Sequence, residues 1–365
     1  MNSFLLIIII FLFIIILIIT IFYNKKTKIS VKKEFLLDRY DQNPLLSPKK
    51  HNDWETNCVF NPAAYKDNNG TVHILYRAIG NDGISRLGYA KSLDGLSFTD
   101  RMSYPVFFIE NPRKNGRNFI PKYDPVIYPS GGSWGGCEDP RLSLIDDRLY
   151  LTFNAFDGWD FIRIGYSSIL EKDFISGRWN WDKPILISPD GEIHKNWLLF
   201  PEKINGKFAI LHSISPDILI DYKDSLENIG TLESHIKSPV GPRNSKRDNS
   251  WDWNIRGAGS PPLKTKKGWL LLYHAIEKHE QERYKIGALL LDINDPTKII
   301  ARSPGPILTP DCWYENDEKP GIVYVCGSVI KDKKIFIYYG GGDKHTCVAQ
   351  TELDTLLNWL IYIKN

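Results

Sequence analysis

Residues 73–80, His-Ile-Leu-Tyr-Arg-Ala-Ile-Gly, turn at once into residues 85–95, Ser-Arg-Leu-Gly-Tyr-Ala-Lys-Ser-Leu-Asp-Gly, and this hairpin pattern decides the fold. An aliphatic-aromatic strand ends in small or polar residues, turns, and continues into a second strand. The same arrangement returns at Leu149 (LYLTFNAFDG, then IRIGYSS), Phe208 (FAILHSISPD, then ILIDYKDSL), Trp269 (WLLLYHAIE, then YKIGALLLDINDP) and Ile335 (IFIYYGGGD, then TCVAQTEL). Successive copies start 76, 59, 61 and 66 residues apart. Short β-rich units at such a period, punctuated by Gly, Asp and Pro, predict blades set around an axis. A spacing near sixty also leaves room for two further strands in each unit. The expected fold class is all-β: a five-bladed β-propeller. A two-sheet sandwich competes with it but has no need of five copies of one hairpin. Helical periodicity is weak except at the N-terminus and over residues 353–359.

The chain ahead of the first copy is of a different kind. Residues 4–23 form an almost unbroken Leu/Ile/Phe run without charge, about the length that crosses a bilayer as a helix, and no small-residue cleavage site follows. The expected organisation is an N-terminal transmembrane helix over 1–23, a basic linker over 24–50 and the propeller over 51–365. Lys25, Lys26, Lys28, Lys32 and Lys33 follow the run, which predicts a single-pass membrane protein with its propeller in the cytoplasm; a lumenal side is the alternative. Five cysteines, an odd number without metal-like spacing, favour a reducing compartment. Asn69-Gly70-Thr71 fits the N-glycosylation pattern and, equally, a tight hairpin turn. A net charge of +3, its basic excess next to the N-terminus, gives no reason to expect a nucleic-acid partner.

Residues 136–141, Gly-Cys-Glu-Asp-Pro-Arg, carry the chemistry. Pro140 fixes its own φ and disfavours the helical region for Asp139, so two adjacent carboxylates and a guanidinium are expected on a stiff, extended segment of the loop between the first two units. If the strand ends converge, further polar residues join them: Arg77 and Arg86 from the first unit, Lys195 before the third, Arg256 and His274 in the fourth, and Asp343 in the fifth. A carboxylate pair ringed by cations suits an anionic co-substrate such as phosphate, because Arg and Lys grip phosphoryl oxygens with charge-assisted bonds. The plainer alternative is a buried polar network that ties the units together. The 13% aromatic content, 11 Trp and 18 Tyr included, serves strand packing and also offers platforms for sugar rings. The histidines His194, His212, His274, His279 and His345 show no ligand spacing, so no metal or other cofactor is expected.

Asn61-Pro62, Leu75-Tyr76-Arg77-Ala78, Ser92-Leu93-Asp94-Gly95, Glu138-Asp139-Pro140-Arg141, Leu199-Phe200-Pro201-Glu202-Lys203, Gly257-Ala258-Gly259, Tyr273-His274 and Tyr338-Tyr339-Gly340 follow one another in order. Together they resemble glycoside hydrolase family 130, the β-mannoside phosphorylases and related β-mannosidases, from about residue 57 to 356. The resemblance implies an inverting enzyme with Asp139 as general acid, its proton reaching the leaving oxygen through the mannose 3-hydroxyl. In the phosphorylases inorganic phosphate attacks C1 from the opposite face, so one catalytic carboxylate suffices. Asn61, Arg77, Arg86, Glu138, Arg141 and Asp343 are then expected to bind the β-mannoside, and Lys195, Arg256 and His274 the phosphate, with Ser213 where the phosphorylases carry a cation. Glu138 beside Asp139 is expected to raise the acid's pKa. The same chemistry in reverse would build mannosides from mannose 1-phosphate. An inverting β-mannosidase, using Glu277, Glu280, Glu282 or Glu315 to activate water, and a non-catalytic, membrane-tethered glycan-binding propeller are the alternatives.

Overall fold

The computed structural model describes residues 34–109, 123–124, 126, 131–157, 162–227, 229–230, 236 and 247–362. A two-residue strand, β1 (Asp38–Arg39), precedes five strand units. The first holds β2 (Cys58–Lys66), β3 (Val72–Ile79), β4 (Ile84–Ser92) and β5 (Asp100–Arg101). The second holds β6 (Gly135–Ile145), β7 (Arg148–Asp157), β8 (Ile162–Leu170) and β9 (Ile185–Leu186), with the short helix α1 (Glu171–Ile175) before its last strand. The third is β10 (Leu198–Leu199), β11 (Phe208–Ser213) and β12 (Leu219–Lys223). The fourth is β13 (Asn254–Ala258), β14 (Leu263–Thr265), β15 (Gly268–Glu277), β16 (Glu280–Leu291) and β17 (Ile299–Arg302). The fifth is β18 (Val323–Lys331), β19 (Lys334–Gly341) and β20 (His345–Glu352), and helix α2 (Leu353–Tyr362) follows it.

All five hairpins read from the sequence form as antiparallel pairs: β3–β4, β7–β8, β11–β12, β15–β16 and β19–β20. Asn69-Gly70 is the turn between β2 and β3, with Gly70 at φ +85°, where a side chain would be strained. Five apolar clusters pack each unit against the next. One of them, with Val59, Ile74, Tyr76, Val329, Phe336 and Tyr338, joins the fifth unit to the first. A buried Val, Leu, Ile or Phe contributes about 1.5–3 kcal/mol, so these faces hold the strand ends in fixed relation.

Two expectations are corrected. The all-β class stands, but a five-bladed propeller does not describe the sheets: the strands fall into four, of four, three, five and eight strands, and none closes on itself. The cause is local. β4 and β6 pair in parallel, Ile84 with Gly135 and Ser85 with Gly136, which fuses the first two units into the eight-stranded sheet. That approach needs glycine at 136, where an added Cβ would lie 2.1 Å from the Ser85 carbonyl oxygen.

The second correction concerns the membrane. The anchor expected over 1–23 lies outside the described residues, and among the described residues no helix is long and apolar enough to cross a bilayer. The expected transmembrane helix, the membrane as partner, and the single-pass localisation with its cytoplasmic or lumenal side therefore have no support among the described residues. Residues 34–50, expected within a basic linker, are woven into the fold instead. β1 pairs with β20, and the Leu37 amide bonds the Ile307 carbonyl at 2.9 Å.

Candidate active site

Asp139 does not lie in a loop. It sits within β6 at a bulge in the β6–β7 ladder between Glu138 and Arg141, with φ +49°. The extended backbone expected before Pro140 is therefore wrong; the ladder on either side overrules the local preference, and Asp tolerates the left-handed region better than most residues. Asn61, also followed by proline, occupies the matching bulge of β2 at φ +47°. The two bulges aim their side chains at each other, and Asn61 Nδ2 donates to Asp139 Oδ1 at 2.8 Å. Asn61 has room because residue 340 is glycine: a Cβ there would come within 2.0 Å of Asn61 Oδ1.

Four other side chains complete the grip. Arg77 Nη1 lies 3.4 Å from Asp139 Oδ1, while its Nη2 donates to Glu138 Oε1 at 2.7 Å and to Ser133 Oγ at 2.8 Å. Asn154 Nδ2 donates to Asp139 Oδ2 at 3.2 Å. Lys195 Nζ reaches within 4.0 Å of Glu138 Oε2, with 30% of its side chain exposed. Glu138 is fully buried and Asp139 only 5% exposed. Burial is the largest influence on Asp139 and pushes its carboxyl up. Arg77, Arg141, Lys195 and the Asn61 hydrogen bond together outweigh it, so the group sits below the ordinary carboxylate value. The expected rise from Glu138 is not found, for Arg77 and Ser133 hold that carboxylate.

The remaining expected residues divide. Asp343, in the turn between β19 and β20, is held 3.5 Å from Lys319 Nζ, and burial pushes its carboxyl up in spite of Lys319 and Arg77. Arg141 is buried and spends its donors on structure: Nε on the Gly259 carbonyl at 2.8 Å, Nη1 on the Asp139 carbonyl at 2.7 Å, and Nη2 on Asn196 Oδ1 at 3.1 Å. It braces β6 against β13 rather than facing a ligand. Arg86 forks onto Asp82 at 2.6 and 3.1 Å. Arg256 Nε donates to the Tyr284 hydroxyl at 3.0 Å. His274 is fully buried, stacks on Tyr324 at 3.8 Å and places Nε2 3.0 Å from the Val325 amide.

Asn154, Asn196 and Tyr324 were missed. Asn154 stands at the same place in its hairpin as Arg77, His212 and His274 do in theirs, and that register was the available signal. Asn196 Oδ1 accepts from Tyr324 at 2.9 Å as well as from Arg141. Three of the four glutamates proposed to activate water, Glu277, Glu280 and Glu315, are occupied elsewhere. Glu315 accepts from Arg39 at 2.8 Å and Tyr339 at 2.7 Å, and Glu277 and Glu280 clamp Lys285 at 2.6 and 2.5 Å. Among the described residues no three of His, Cys, Asp and Glu come together to hold a metal.

His212 and His274 carry a testable pH dependence. Burial pushes His274 down to about 3 and His212 down to about 4. Both are neutral in the fold, while the unfolded chain binds protons from its ordinary value near ~6.5. Their contribution is whole above that value and is lost as pH falls towards about 4. The urea midpoint should drop between pH 7 and pH 5, and His274→Gln should flatten that slope; an equally steep variant would show that other groups set it.

Comparison with known proteins agrees with this geometry. Residues 37–361 match the family model described as beta-1,4-mannooligosaccharide phosphorylase, and the chain belongs to that family, glycoside hydrolase family 130. It is 38% identical to a 1,2-beta-oligomannan phosphorylase of Thermoanaerobacter sp. (strain X514), over 87% of this chain and 97% of the relative. A beta-1,2-mannobiose phosphorylase of the same organism is 33% identical, over 87% of this chain and 98% of the relative. In structure it resembles the Listeria innocua beta-1,2-mannobiose phosphorylase solved with beta-1,2-mannobiose, at a TM-score of 0.65 and 23% identity, over 89% of this chain and 99% of that one. That last likeness speaks for the fold alone.

Proposed function

We propose that this enzyme cleaves β-1,2-mannosidic bonds by inverting phosphorolysis, with Asp139 as the proton donor. Phosphorolysis of β-mannosidic linkages is the reaction of its relatives and its own. The β-1,2 linkage is the finer reading, supported by the relatives at 38% and 33% identity. The observation that carries the mechanism is the buried carboxylate of Asp139, aimed by two facing bulges at a site edged by the partly exposed cation Lys195.

The terminal mannose lies on Asp139 and Asp343. Asp139 gives its proton to the glycosidic oxygen, the C1–O bond breaks, and a phosphate oxygen bonds C1 from the opposite face, yielding α-mannose 1-phosphate and the shortened mannoside. Arg77, Arg141 and Lys195 hold the Asp139 carboxyl below the usual range, so it must gain a proton first. Phosphate beside Lys195 and Arg256 offsets the cations that depress Asp139, and proton uptake accompanies anion binding. Ser213 turns its hydroxyl to the Ser215 carbonyl at 3.2 Å. Phosphate therefore depends on Lys195 and Arg256, with His274 backing Tyr324 from within. The engagement of Glu277, Glu280 and Glu315 with Lys285, Arg39 and Tyr339 argues against their serving an inverting hydrolase.

Lys195→Ala should raise the KM for phosphate by about ten- to hundredfold, the loss of one charge-assisted bond worth about 1.5–3 kcal/mol, while the KM for mannoside moves little. Equal changes in both would place Lys195 elsewhere. The function itself is tested by incubating β-mannobioses of each linkage with and without phosphate. Mannose 1-phosphate should form only with phosphate and fastest from the 1,2-linked sugar; mannose release without phosphate would overturn the reading.

A further inference from the structure

The loop between the fourth and fifth units presents a side chain that the reaction above leaves unused. Trp313 is 65% exposed, although an indole is among the side chains that gain most from burial. It is not loosely held. Trp313 opens the 3₁₀ turn Trp313–Glu315, and Glu315 is fully buried, accepting from Arg39, from Tyr339 and from the Cys312 amide at 2.8 Å. Asn316 ties the same turn down by donating to the Pro310 and Cys312 carbonyls at 3.1 and 2.8 Å. A rigid indole loses little freedom when a ligand covers it.

The loop also leads to the site. Three residues beyond the anchoring Asn316, the Lys319 amide bonds the Gly342 carbonyl at 2.9 Å, and its ammonium lies 3.5 Å from Asp343. The indole and the His345 ring, two residues past Asp343 in the chain, meet edge to face with their centres 5.6 Å apart. Polar groups border it: His345 and Asp317 lie 2.9 Å apart, and Lys344 is 3.1 Å from Asp317. A flat aromatic face with hydrogen-bonding groups along its rim is the chemistry that receives a sugar ring.

We infer that Trp313 is a stacking platform for a mannose residue of the bound chain beyond the bond being cleaved, so that the enzyme favours oligosaccharides over the disaccharide. The inference rests on the proposed function, since it takes the chain's terminal mannose to lie at Asp139 and Asp343. The test compares Trp313→Ala and Trp313→Phe with the unchanged enzyme on mannosides of two and four residues in the accepted linkage. Trp313→Ala should lose about three- to tenfold in kcat/KM on the tetrasaccharide, through KM, an aromatic contact being worth about 0.5–1.5 kcal/mol. The disaccharide should be unaffected, and Trp313→Phe should keep most of the preference. Equal loss on both lengths, or no loss on either, would overturn it. So would a change in association state on size exclusion with unchanged kinetics, which would mark the indole as a contact between protein molecules. Calorimetric titration of the tetrasaccharide on Asp139→Asn, with and without Trp313→Ala, reads the platform without turnover and separates its failure from a failure of the proposed reaction.

Discussion

Asp139→Asn should lower kcat for β-mannobiose by about 10²–10⁴, the range that a positioned general acid supplies, while the affinity for mannoside stays within a few fold. The asparagine keeps the size of the side chain and one oxygen, which still accepts from Asn61, and gives up only the longer bond from Asn154, so the bulge and its neighbours remain. What it removes is the proton. The loss should depend on the leaving group: an aryl mannoside, whose phenolate departs with little help, should fall much less than the disaccharide. A variant equally impaired on both would mean that Asp139 organises the site without donating. The buried setting makes the prediction sharp, because at 5% exposure water cannot easily take the place of the lost acid.

The second large effect falls on stability. Arg77 is 2% exposed, its side chain lies over the Phe60 ring at 4.7 Å, and it is bonded to Glu138 and set against Asp139. Arg77→Met keeps most of the apolar stem but leaves two buried carboxylates short of their principal cation. Breaking such a pair costs about 3–5 kcal/mol, because the remaining charge has no solvent to turn to. The variant should unfold at clearly lower temperature and urea concentration. Adding Glu138→Gln should recover part of the loss, since the uncompensated charge is then removed and the two changes are not additive. An unchanged midpoint in Arg77→Met would show that the charge pair contributes nothing net.

The hairpins were legible because they depend on local pattern. Each begins with a run such as Leu271-Leu272-Tyr273 and ends in small or polar residues, and each formed. The convergence of Arg77 and Asp139 was legible too, because strand ends that close on one another bring the polar residues of successive units together. The bulges were not. Whether Asp139 is extended or left-handed depends on its register against β7, a partner outside its own motif, and Asn61 illustrates the same point in β2. Arg141 shows a different limit: an arginine two residues from the proposed proton donor looks like a ligand until the carbonyls of Ala258 and Gly259, more than a hundred residues away, are seen to take its donors. Residues 34–50 read as a basic linker because β1 contributes only two residues to its sheet, too few to register as a strand.

The stereochemistry of the first turnovers tests the central claim most directly. Proton and phosphorus NMR on the 1,2-linked disaccharide with inorganic phosphate should find the α-anomer of mannose 1-phosphate as the first product, because acid and phosphate act from opposite faces. The β-anomer, which requires a covalent intermediate on a carboxylate, would contradict it, as would mannose appearing ahead of any phosphorylated sugar.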